Sequence, residues 1–77
     1  MTTLNFQIGQ KVVKLGSASD YATGRIGDIV ELPTELNTIE PDRVRVLWHT
    51  ERSGLKMTKP IKTKVNVKFL KDFSEIL

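Results

Sequence analysis

Between Ser53 and Lys71 the chain carries six lysines, Lys56, Lys59, Lys62, Lys64, Lys68 and Lys71, and no acid. Ammonium groups spaced along an extended chain can lie against a phosphate backbone, where each contact releases counterions and makes binding salt-dependent. Lysines supply affinity without sequence choice. Planar groups that would add stacking or base contacts are few, and the candidates are Trp48, Tyr21 and the Arg43/Arg45 pair. Alternation with Val44 and Val46 makes Trp48 a packing residue first. The candidate nucleic-acid-binding set is therefore Lys56, Lys59, Lys62, Lys64, Arg43, Arg45 and Tyr21.

Charge is partitioned along the chain. Residues 51–77 hold seven bases and three acids, a net +4, whereas the first fifty hold five bases and six acids, a net −1. Five of those acids, Asp28, Glu31, Glu35, Glu40 and Asp42, fall between Ile26 and Asp42 with no base among them. The plain alternative is that lysines on edge strands discourage edge-to-edge association, on a domain that is nearly all surface.

Other chemistries find little support. Ser17, Ser19, Asp20 and His49 supply the residue types of a hydrolytic site but not its spacing, so no catalytic residue is assigned. The Gly24-Arg25-Ile26-Gly27 stretch precedes a strand, whereas phosphate-cradling loops feed a helix N-terminus. With no cysteine and one histidine, neither a metal site nor a disulfide is expected, and no cofactor is implied. His49, at the end of a strand, reads as a solvated turn residue. No apolar run approaches the roughly 20 residues of a membrane span. The start Met1-Thr2-Thr3-Leu4-Asn5 also lacks the features of an export signal. The expectation is a cytoplasmic protein with no membrane partner.

At 77 residues the chain has room for one domain, 1–77, with flexible ends at 1–5 and 74–77. A domain this short hides about 60–65% of its unfolded surface, enough for a small core but not an enclosed pocket. Strand signals dominate. Phe6 to Val13 reads as a glycine-marked turn opening a first strand that runs through Leu15, and Gly24 and Gly27 suit positive φ in a turn and a bend entering a second strand. Pro33 to Asp42 reads as a long exposed connection. Arg43 to Trp48 alternates with period two, which puts Val44, Val46 and Trp48 inward and Arg43, Arg45 and Leu47 outward. A second loop is expected over His49 to Ile61, a strand over Lys62 to Val67, and a helical turn toward the C-terminus.

The order Gly9, Val12, Gly24, Gly27, Ile29 resembles the KOW motif and the wider SH3-like barrel superfamily, in which a Gly-x-x-Val start leads through a loop to a Gly-x-x-Gly-x-Val element. The resemblance extends more loosely over Arg43–Trp48 and Thr63–Asp72. It implies an all-β chain: a single small SH3-like five-stranded barrel with long loops and a short helical turn near the C-terminus. The Gly16 to Thr23 loop is longer than a compact KOW element carries, so that family's RNA and ribosomal-protein contacts are not transferred residue by residue. In size and ending the chain is also similar to the type II dihydrofolate reductases, whose shared pore is lined by a Val-Gln-Ile-Tyr strand. The comparable strand here, Lys64-Val65-Asn66-Val67-Lys68, lacks that Gln and Tyr, which argues against an enzyme.

Two functions are consistent with this sequence. The first is a non-enzymatic module that docks on nucleic acid or a nucleoprotein assembly through the lysine-rich second half. The second is a protein-interaction adaptor or accessory subunit, in the style of small phage proteins. It would grip a peptide or neighbouring subunit between the Gly16–Thr23 and Pro33–Asp42 loops, with Leu55, Met57 and Ile61 as added apolar surface.

Overall fold

A computed structural model describes residues 6–16 and 22–75. Tyr21, Ser17, Ser19 and Asp20 lie outside the described residues, as do residues 1–5 and 76–77.

The period-two pattern of Arg43–Thr50 is realised as strand β3, the third of five in chain order. Val44, Val46 and Trp48 are buried, and Trp48 is only 3% exposed. Beside it runs β2, Ile26–Glu31, with Gly27 opposite Trp48 and Ile29 opposite Val46. Gly27 is required by space rather than by backbone angle. A Cβ there would fall 2.6 Å from the Leu47 carbonyl oxygen, 2.8 Å from Val46 Cγ1 and 2.9 Å from Trp48 Cε3. The expected positive φ is found at Gly24, at +93°, in the turn before β2, and not at Gly27.

The remaining strands are β1 (Lys11–Lys14), β4 (Lys56–Asn66) and β5 (Leu70–Asp72), paired throughout antiparallel in the order β4-β3-β2-β1-β5. Val65 of β4 and Leu70 of β5 stand at opposite ends of that order, yet both join the core of Val12, Ile29, Val44, Val46 and Trp48. The sheet therefore curls over one core. Its two edges do not hydrogen-bond to each other, so the expected barrel is compatible in general shape but is not closed. Two 3-10 turns, Val67–Phe69 and Phe73–Glu75, flank β5 and account for the helical turn expected near the C-terminus. No helix among the described residues is long and apolar enough to cross a membrane.

Two connections differ from expectation. The strand pair β3–β4 reaches much further, since β3 continues to Thr50 and β4 begins at Lys56, leaving only a tight turn closed by Glu51 N–H to Leu55 O at 2.8 Å. Between the pairs Trp48–Ile61 and Thr50–Lys56, β3 advances two residues while β4 advances five. This bulge houses Pro60, which has no N–H to donate, on a strand whose other edge has no ladder partner among the described residues. The 32–42 connection is likewise more than an exposed loop. Ile39 is buried, and Asn37 ties the segment by donating to Leu32 O at 2.8 Å and accepting from the Thr34 and Ile39 amides, each at 3.1 Å.

The C-terminal end of β5 is held by Asp72. Its carboxylate accepts from the Ser74 hydroxyl and amide and from Gln10 Nε2 at 2.6 Å. The Ser74 hydroxyl, then the Gln10 amide, hold its pKa below the ordinary 3.8. A depressed carboxylate stabilises the fold above its unfolded value, and that contribution is lost as pH falls through the folded one. Acid unfolding followed by circular dichroism should therefore show a loss of stability below about pH 4. Asp72→Asn should flatten that slope. Gly27→Ala should destabilise by about 1–3 kcal/mol, because the nearest obstacle is backbone that cannot step aside. Thermal melts should show this as a midpoint lower by about 4–8 °C per kcal/mol.

Candidate nucleic-acid interface

Lys56, Lys59, Lys62 and Lys64 all belong to the edge strand β4 and all are exposed. The ladder sets Lys62 opposite Leu47 and Lys64 opposite Arg45, so both lysines stand on the outer face of the β3–β4 pair. Lys56, Lys59 and Lys62 have no ion-pair partner among the described residues.

The other candidates are engaged. Arg45 Nε lies 3.0 Å from Glu31 Oε1, directly across the β2–β3 ladder. Arg43 Nε and Lys64 Nζ share Glu40, at 3.2 and 3.3 Å from its two oxygens. These pairs are partly exposed, and each is worth little on its own. Their effect is on the charge map. The acidic segment does not form a separate pole, because Glu31 and Glu40 already face bases of β3 and β4. Glu40, on the Pro33–Asp42 side of an adaptor cleft, is thus already engaged within the molecule.

At its C-terminal end, β4 borders an open groove of about 490 Å3 whose walls include Lys14, Arg43, Thr63, Lys64, Asn66 and Phe69. Phe69 ends the first 3-10 turn and is 40% exposed. Its backbone is fixed by Leu15 N–H donating to Phe69 O at 2.6 Å, and the turn is capped by Asn66, whose Oδ1 accepts from the Lys68 amide at 3.0 Å. Lys14 Nζ sits 5.1 Å and Lys68 Nζ 5.2 Å from the ring centroid, within cation–π range. Lys14 Nζ also donates to Leu15 O at 2.9 Å. Two cations thus lie over one accessible ring, and Arg43 and Lys64 line the same groove.

Sequence reasoning brought Lys64 and Arg43 to this groove but missed Lys14, Lys68 and Phe69. The available signal was the aromatic set between bases in Lys68-Phe69-Leu70-Lys71. Trp48 is not a stacking surface. It is buried, and its Nε1 donates to Thr63 Oγ1 at 2.9 Å. Tyr21 lies outside the described residues.

His49 is a half-buried member of β3 rather than a solvated turn residue. Its Nε2 lies 3.3 Å from Asp28 Oδ2, and its Nδ1 is 2.8 Å from Thr50 Oγ1. With Nε2 protonated toward Asp28, Nδ1 accepts from the Thr50 hydroxyl. The ring is held from both sides and links β2 to β3.

No protein-family model, curated protein or solved structure matches the chain. The site is therefore read from its own geometry.

Because Trp48 is the one indole in the chain, it reports on this assignment directly. Its fluorescence should be blue-shifted and poorly quenched by iodide, and added oligonucleotide should leave its emission maximum in place. A red emission with ready quenching would return Trp48 to the surface.

Proposed function

We propose that this protein is a non-enzymatic binding module, of SH3-like and KOW-like design, that docks on nucleic acid or a nucleoprotein assembly through β4 and the groove at its end. One observation carries the reading. Lys56, Lys59 and Lys62 stand exposed, with no ion-pair partner among the described residues, on a single edge strand that leads into a groove lined by Lys64, Arg43 and Lys14, with Lys68 over the Phe69 ring beside it. At about 3.3 Å per residue the Lys56–Lys64 stretch spans up to roughly 25 Å, long enough to follow several phosphates. Glu40 moderates the site by holding Arg43 and Lys64 together, and an arriving phosphate would compete with that carboxylate for both.

The adaptor reading rests on Leu55 and Ile61, both exposed beside the lysines. The salt response separates the two readings. A phosphate contact weakens steeply as log salt rises, whereas an apolar contact is nearly flat.

Fluorescence anisotropy with a labelled oligonucleotide at low salt tests the proposal. The combined Lys59→Glu and Lys62→Glu variant should bind about tenfold or more weakly. Its slope of log affinity against log salt should fall by about 1.4 on a single strand. Glu40→Gln should shift affinity the other way, by releasing Arg43 and Lys64. Absence of binding by the unaltered protein at low salt would overturn the reading, and capture of one protein partner after nuclease treatment would favour the adaptor.

A further inference from the structure

We infer that the groove at the end of β4 takes an unpaired base stacked on Phe69, so that the preferred partner is a single-stranded polynucleotide rather than a duplex. The inference rests on the nucleic-acid reading above and narrows it to one strand state.

Three observations combine. The first is the ring itself, which is a large apolar group left 40% exposed on a backbone that is otherwise fixed. Leu15 N–H to Phe69 O, the Asn66 cap and Val67 N–H to Asp42 O at 2.9 Å all hold the turn that presents it. A stacking surface of this kind loses little conformational freedom on binding.

The second observation is charge around the ring. Lys14 and Lys68 already lie over Phe69, and Arg43 and Lys64 stand on the groove wall. A base stacking on the ring would displace the Lys68 ammonium head toward the neighbouring phosphates, while Lys14 stays anchored to Leu15 O at 2.9 Å as a fixed positive charge beside the ring. Base–aromatic stacking beside a basic track is the general arrangement for single-strand binding. A duplex offers its bases only after unstacking and unpairing, which costs a few kcal/mol per nucleotide.

The third observation concerns the polar groups lining the groove. Thr63 Oγ1 accepts from the Trp48 indole, while Asn66 accepts from the Lys68 amide and donates to Asp42 Oδ2 at 3.0 Å. These side chains are occupied in holding the fold. Base edges therefore meet few unengaged donors or acceptors here, and recognition is by ring face and charge, tolerant of sequence.

Competition anisotropy with two probes of equal charge tests this: a twelve-residue oligodeoxythymidine and an abasic twelve-residue oligomer. The unaltered protein should prefer the base-bearing strand about tenfold. Phe69→Leu keeps an apolar side chain in the turn but removes the π face. It should lose that preference while binding the abasic oligomer as before, and Phe69→Trp should restore it. Equal affinity of the unaltered protein for both probes would overturn base stacking and leave backbone docking intact. Retention of the preference by Phe69→Leu would equally overturn it, by placing the base elsewhere. Failure of both probes to bind at low salt would overturn this inference and the nucleic-acid reading together.

Discussion

The contact between the Trp48 indole and the bare backbone of Gly27 is the constraint on which the rest of the structure depends. It brings β2 and β3 close enough for Ile29 and Val46 to complete the same layer, and the indole N–H reaches Thr63 on β4. One side chain thus spans three adjacent strands. Because strand side chains alternate with period two, a slip of one residue would turn Arg45 and Leu47 inward, so this contact also fixes register. A Cβ on residue 27 would push the strands apart beside the buried indole.

With the centre fixed in this way, the two edges of the sheet are left to other tasks. The short β5 strand is held by pairing to β1 and by the cluster around Asp72, while the long β4 strand carries four exposed lysines. The turn between them brings Phe69 beside Lys14 of β1, and both line the groove together with Lys64 of β4. Charge follows the same division, with Glu31 and Glu40 paired to bases while Lys56, Lys59 and Lys62 face solvent.

The sequence was most legible where one strand faces core on one side and solvent on the other. In β3 the alternation of Val44, Val46 and Trp48 with Arg43, Arg45 and Leu47 leaves a single reading. It was least legible in β4, where Lys56 to Ile61 has no clean alternation and contains Pro60, so the stretch looks like a loop. An edge position and a bulge remove both objections, and neither can be seen without the partner strand. Gly27 announced a special position but for the wrong reason, since a clash with residues twenty places away leaves no local trace. Ile39 was hidden because two apolar residues between two prolines carry no periodicity, and nothing local says that Ile39 turns inward while Leu36 faces solvent. Phe69 was missed because its exposure is decided by how the 3-10 turn meets β1, a contact between segments more than fifty residues apart.

The uneven count across the β3–β4 ladder, two steps on one side against five on the other, has an evolutionary reading. Met57 packs against the core, but Thr58, Lys59 and Pro60 form exposed slack, so insertions or exchanges at those three can alter spacing and polarity at the rim without disturbing the seated valines. The lysine-bearing lip can diversify at a different pace from the scaffold beneath it, and related chains should differ most in length and composition at that lip.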